Sequence, residues 1–164
     1  MDIAEALENA YRQMGDCTPL DSDCGALCES ACCQEDEDGQ GGVWLLGPEL
    51  ETLSRVGWAK VDAHTDPAAP MLVCHGPCER SMRPLCCRVF PLAPVRGKDG
   101  LWTVRMDARA RAMCPLVRSG LRGLNREFVR AARNAMRALA ESEEGERMLC
   151  RWAQREAAFR EPLW

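Results

Sequence analysis

The stretch Cys74-His-Gly-Pro-Cys78-Glu-Arg-Ser-Met-Arg83-Pro84-Leu-Cys86-Cys87-Arg88-Val-Phe90-Pro91 decides how the rest of this chain reads. Pro77, Pro84 and Pro91 deny it a continuous helix, because each proline lacks a backbone donor and clashes with the preceding turn. It is therefore a run of turns that carries four cysteines. In turns, thiolates can converge while backbone N–H groups point at sulfur. Arg80, Arg83 and Arg88 add positive charge, which would offset a thiolate-rich site that stays anionic even with a metal bound.

A second cluster lies upstream, Cys24-Gly-Ala-Leu-Cys28-Glu-Ser-Ala-Cys32-Cys33. On a helix, positions i and i+4 share a face with Cβ atoms about 5–6 Å apart, a reach that suits two ligands of one site. Cys24 and Cys32 would stand roughly 12 Å apart along an ideal helix. A zinc ion holds each sulfur at about 2.3 Å, so one zinc cannot take both ends of an unbroken helix. Either the helix breaks, which Gly25 would ease, or the ligands serve two sites, or a larger cluster spans them. Cys114, just before Pro115, follows later in the chain.

The chain has 164 residues and eleven cysteines, ten of them between positions 17 and 114. At this length a core forms without help from disulfides. A single domain over residues 1–164 is expected, with a Cys-rich metal-binding core at 17–115 and a helical C-terminal part at 120–160. Met1–Gly15 carries Asp2, Glu5 and Glu8 and lacks the basic start and apolar run of a secretory leader. No stretch of about 18 apolar residues predicts a membrane span. The expectation is a cytoplasmic, bacterial-type protein with no membrane partner. In a reducing compartment such cysteine density reads as metal binding or redox chemistry, and the odd total argues against a closed disulfide framework.

Apolar spacing predicts an amphipathic helix over Asp2–Met14 closed by Gly15, and a short helix across Cys24–Cys33 capped from Asp21, Ser22 or Asp23. Gln34–Gly42 is an acidic, Gly-rich loop that lacks the oxygen-ligand spacing of an EF-hand. Short strands are expected at Val43–Leu46, Trp58–Val61 and Met71–Val73, with a helix over Pro48–Val56. Gly97–Gly100 marks a hairpin between Ala93–Arg96 and Leu101–Met106. Asp107 reads as a cap. Two helices close the chain, one with Phe128, Ala131, Ala132, Ala135, Met136 and Leu139 inward, the other capped by Ser142. The fold class is α+β: a small Cys-rich, metal-centred core with short strands, an N-terminal helix and two C-terminal helices.

With both clusters in view, the chain resembles the CxxCxxCC cysteine-cluster family of zinc- or iron-chelating domains. The resemblance rests on Cys24, Cys28, Cys32-Cys33, Cys74, Cys78, Arg83-Pro84-Leu-Cys86-Cys87-Arg88, Phe90-Pro91 and Cys114, and covers residues 17–115. The first block departs from the family by its wider CxxxCxxxCC spacing. Cys78 and Arg83 are one residue closer than is common, and Cys17 and Cys86 are extra. The resemblance implies metal ligation by Cys24, Cys28, Cys32, Cys33, Cys74, Cys78, Cys87 and Cys114. Eight thiolates suit two four-ligand sites or one multinuclear site. The cofactor implied is an iron–sulfur cluster or Zn²⁺, with the wide spacing leaning toward iron–sulfur.

Other residues read more plainly. Cys150, beside Leu149, is a small buried hydrophobe. Cys17 and Cys86 stay open as ligands. His75 could supply a nitrogen ligand, although a hydrogen-bonded imidazole is the simpler reading; His64 is the other histidine. Residues 1–66 carry fifteen acids and three bases, and residues 67–164 ten acids and eighteen bases. That asymmetry predicts halves that attract each other, or an anionic partner for the second half. No nucleic-acid motif supports a nucleic-acid partner. No GxSxG, HExxH, P-loop or GxGxxG is present to define an enzyme. The function classes left are a metal-binding protein, an iron–sulfur redox or protein-modifying component, and a zinc-stapled module with a protein partner.

Overall fold

The computed structural model describes residues 1–34, 42–63 and 67–160. Helix α1 spans Ile3–Met14 and is capped by Asp2, whose carboxylate accepts from Glu5 N–H at 2.9 Å. Its buried face is Ala6, Leu7, Ala10 and Met14.

The single short helix expected across Cys24–Cys33 is not formed. Two 3₁₀ turns, Cys24–Leu27 and Ala31–Cys33, stand in its place. The break falls at Glu29 and Ser30, which have φ of 52° and 57°, and not at Gly25. The reason is a crowded acceptor. The Gly25 carbonyl takes the N–H of Cys28 at 3.4 Å and that of Ser30 at 3.0 Å, which ends the turn.

Strand β1 (Val43–Trp44), helix α2 (Glu49–Leu53), strand β2 (Ala59–Asp62) and strand β3 (Met71–Cys74) follow. The strands form an antiparallel sheet in the order β1-β3-β2, with Val43 opposite Leu72 and Ala59 opposite Cys74. Strand β1 is two residues shorter than expected, and α2 is shorter too, with Pro48 outside the helix as its cap. Gly42 has φ 116°, and a Cβ there would lie 2.3 Å from the Leu72 carbonyl oxygen; the strand can enter the sheet only through glycine. Most of the acidic segment and His64 lie outside the described residues.

Helix α3 (Leu85–Val89) leads into the hairpin of β4 (Leu92–Arg96) and β5 (Trp102–Met106), with Leu92 opposite Met106. The turn closes through Gly97 N–H to the Leu101 carbonyl at 2.8 Å. Asp107 caps the next turn, accepting from Arg109 N–H at 2.9 Å. Helices α4 (Arg126–Leu139) and α5 (Glu143–Ala158) complete an α+β fold. Ser142 Oγ accepts from Gly145 N–H at 2.9 Å at the start of α5.

The main core gathers α1, α3, the hairpin and both C-terminal helices around Met14, Leu85, Phe128, Met136 and Leu149. A smaller core of Leu45, Leu53 and Leu72 sits under the three-stranded sheet. Trp102 and Trp152 are buried. Trp44 is flanked by the guanidinium groups of Arg109 and Arg155, at 4.2 and 5.5 Å from its ring centre. No helix among the described residues is long and apolar enough to cross a membrane. Arg105–Glu156 and Arg147–Glu143 pair within the second half of the sequence, while the charge of Arg88 reaches Glu49 across the halves.

Two buried carboxylates tie distant segments together. Glu49, 5 % exposed, accepts from Leu85 N–H and from Leu46 N–H, both at 2.8 Å, and from the Tyr11 hydroxyl. Burial pushes its carboxyl up, and those donors and Arg88 oppose the rise. Glu156, fully buried, accepts from Ala108 N–H at 2.8 Å, from Arg105 Nη2 at 2.5 Å and from Arg160 Nε at 3.2 Å. Burial alone would raise its carboxyl. The hydrogen bonds from Arg160, Ala108 and Arg105 outweigh that and hold it below the usual range.

Glu49→Ala should destabilise the fold by roughly 3 kcal/mol, since it strands two buried N–H groups; a urea titration measures this. For Glu156 a folded-state value below the unfolded one adds stability above the ordinary carboxyl range, and that stability is lost as pH falls through the folded value. The stability gap between wild type and Glu156→Gln should therefore be widest near neutral pH, roughly 2–3 kcal/mol, and narrow on acidification. Gly145→Ala should also be severe, because a Cβ there would lie 2.0 Å from the Leu139 carbonyl oxygen.

Candidate metal centre

All eleven cysteines are unbridged. Five from two distant segments meet at the end of the central strand of the three-stranded sheet. Cys32 and Cys33 come from the second 3₁₀ turn, which closes through Cys33 N–H to the Ser30 carbonyl at 2.8 Å. Cys74 ends β3, and the next residue is tied to the neighbouring strand by His75 N–H to the Trp58 carbonyl at 2.9 Å. Cys78 lies in the Pro-bounded turn. Cys87 sits in the first turn of α3, its N–H bonded to the Pro84 carbonyl at 3.0 Å. An open cleft of about 620 Å³ runs between these segments and is lined in part by Cys33, Cys74, His75, Cys78 and Arg83.

The sulfurs influence one another. The Cys32 and Cys33 sulfurs are 3.9 Å apart. The Cys32 thiol hydrogen-bonds Cys33 and, with Arg83, lowers it to about 6 against burial. Cys32 is pushed up correspondingly, by that bond, by burial, and by the charges of Cys33, Cys87 and Cys28. Burial raises Cys74 to about 11, with Cys33 and Cys78 adding to it. Burial raises Cys87 to about 12; Arg83 opposes this, while Cys33, Cys78 and Cys74 reinforce it. These mutual effects exist only because the groups are neighbours.

Arg83 is the cation of this site. Its Nε donates to Cys78 Sγ at 3.0 Å. The other two arginines of the motif do different work. Arg88 donates to the Arg83 carbonyl at 3.0 Å and the Ser81 carbonyl at 2.7 Å, and lies over the Tyr11 ring at 4.6 Å. Arg80 is exposed.

Cys24, Cys28 and Cys114 form a second group. Burial raises Cys24, with Cys114, Asp23 and Cys28 adding to it. Burial also raises Cys114, against a hydrogen bond from the Leu116 backbone, and Cys28 contributes to the rise. The Cys17–Cys24 segment is held against the start of α4 by Asn125 N–H to the Pro19 carbonyl at 2.8 Å and by Asn125 Nδ2 to Asp21 at 2.7 Å.

One of the open positions separates clearly. Cys86 is 2 % exposed and packs in the main core beside Glu49, on the other side of α3 from the cleft. Cys17 and Cys150 also pack against that core. Among the described residues, no three Cys, His, Asp or Glu groups converge closely enough to enclose a metal ion. The sulfurs are thus gathered and unbridged but do not form a closed polyhedron. Sequence reasoning missed Glu49 and Tyr11, which hold α3 in place. A buried acid next to Pro48 carries no local signature of a contact 36 residues away.

Fold and site together define a cysteine-rich α+β protein with a thiol-lined cleft at the end of its central strand. No protein-family model, curated protein or solved structure matches the chain.

Limited alkylation should mark Cys33 first, because it is accessible and is a thiolate near neutral pH. Its labelling rate should rise through about pH 6, while Cys86 stays unmodified until the chain unfolds. Peptide mass spectrometry of timed iodoacetamide reactions reads both.

Proposed function

We propose that this chain is a metal–thiolate protein of the CxxCxxCC type. Cys33, Cys74, Cys78 and Cys87 hold one centre with Cys32 beside them, and Cys24, Cys28 and Cys114 serve a second position. The observation that carries this reading is the meeting of unbridged sulfurs from residues 32–33 and 74–87 around one arginine. Packing alone does not require half-exposed cysteines of distant segments to face one cleft. A set of thiols that raise one another by crowding is relieved by a cation, and binding one releases their protons.

The donor set is all sulfur, which suits zinc and iron–sulfur clusters and disfavours hard cations. We assign an iron–sulfur cluster first, since eight thiolates spread over two groups reach further than one tetrahedral ion needs. Zinc is the second reading. It is favoured by the four thiolates of the first centre, the number that one tetrahedral zinc takes. The bound group would supply either electron transfer or a structural tie. The chain's own residues position the thiolates, offset their charge through Arg83 and leave one side open to the cleft.

Anaerobically purified protein should contain iron and sulfide and show a sulfur-to-iron absorption bleached by dithionite. A colourless protein with stoichiometric zinc would select the second reading, and no metal of either kind would reject both. Cys33→Ser and Cys87→Ser should each lose most of the bound metal and melt earlier. Cys150→Ser should keep full metal content.

A further inference from the structure

We propose that Arg83 is the resident counter-cation of the thiolate centre, setting its metal affinity through a directed N–H···S bond to Cys78 and its charge in the cleft that Cys33 and Cys74 also line. This deepens the metal–thiolate reading and rests on it. The basis is geometric. Arg83 Nε lies 3.0 Å from Cys78 Sγ, and the side chain lines the cleft together with Cys33 and Cys74.

Arg83 is held from three directions rather than resting on a surface. Its N–H closes a turn to the Arg80 carbonyl at 3.2 Å. Its carbonyl accepts from Arg88 Nε at 3.0 Å, and Arg88 also holds the Ser81 carbonyl. Pro84 restricts Arg83 to extended backbone, observed at φ −66° and ψ 130°. Arg88 in turn packs on Tyr11, whose hydroxyl bonds buried Glu49. The position of the guanidinium at the sulfur is therefore built by α1, α2 and α3 together.

The chemistry follows from charge. Four thiolates on one divalent ion leave two negative charges, and a fixed cation at the sulfur offsets part of them. A metal-bound thiolate still has lone pairs, so Cys78 can keep its N–H bond. A planar guanidinium supplies further donors in a fixed fork, which a lysine ammonium cannot reproduce. Partners of this kind, next to the ligands, typically change metal affinity by about 10- to 100-fold.

The test compares full-length wild type, Arg83→Lys and Arg83→Gln by Zn²⁺ competition against a chelator and by the charge-transfer spectrum of the Co²⁺ form. Arg83→Gln should bind Zn²⁺ about 10- to 100-fold more weakly, with a shifted Co²⁺ band. Arg83→Lys, keeping charge without the fork, should fall between. The melting of the metal-free proteins should stay unchanged. Equal affinity and an identical Co²⁺ spectrum in the variants would overturn the proposal. So would an affinity loss matched by loss of metal-free stability, which marks a purely structural arginine. If Arg83→Gln does not fold, Arg83→Lys is judged by the same criteria. A wild type that takes up neither ion and assembles no iron–sulfur cluster from iron and sulfide rejects the metal reading itself, whereas a binding wild type with indifferent variants rejects only the role of Arg83.

Discussion

The Glu49 carboxylate is the contact on which the arrangement of the chain depends. It sits at the start of a five-residue helix and satisfies three donors from three other places: the Tyr11 hydroxyl of α1, the Leu46 N–H after β1, and the Leu85 N–H that opens α3. Helix α3 begins after Pro84 with no side-chain cap of its own, so its first N–H needs a partner. Glu49 supplies it from 36 residues away. Burying a carboxylate is costly, and this one persists because each oxygen is occupied. It thereby fixes where Cys87 and Arg88 stand relative to the sheet that carries Cys74.

From that joint the thiol site assembles on supports of different stiffness. Cys74 ends a strand in the three-stranded sheet, and Cys87 sits in a docked helix. Cys32 and Cys33 ride on a short turn that follows a left-handed break, and Cys78 on a Pro-bounded turn with Arg83 bonded to its sulfur. Rigid elements thus stand on one side of the site and turns on the other. Glu156 plays the matching part at the other end of the molecule, tying α5 to the turn after β5 through Ala108 and two arginines.

The helical ends were legible in the residues. Asp107 and Ser142 act as caps where local chemistry places them, and the glycines at 97 and 100 close the expected hairpin. The stretch from Cys24 to Cys33 was not. Its i, i+4 spacing favours a helix, but the doubly occupied Gly25 carbonyl and the two left-handed residues at 29 and 30 divide it. The three arginines of the second cluster also look equivalent in the sequence. Only their surroundings separate them: Arg83 meets sulfur, Arg88 meets backbone and an aromatic ring, and Arg80 meets solvent.

The sequence by itself determined the terminal helices, the hairpin and the two cysteine clusters, because those depend on neighbours a few positions away. Apolar period, proline placement and turn glycines act over one or two helical turns. Tertiary structure alone decided which cysteines face each other, that Cys86 turns into the core while adjacent Cys87 feels Cys33, Cys74 and Cys78, and that Cys33 and Cys74 meet across 41 residues. Burial, the long-range bonds of Glu49 and the electrostatic crowding of thiols arise only once distant segments share one volume.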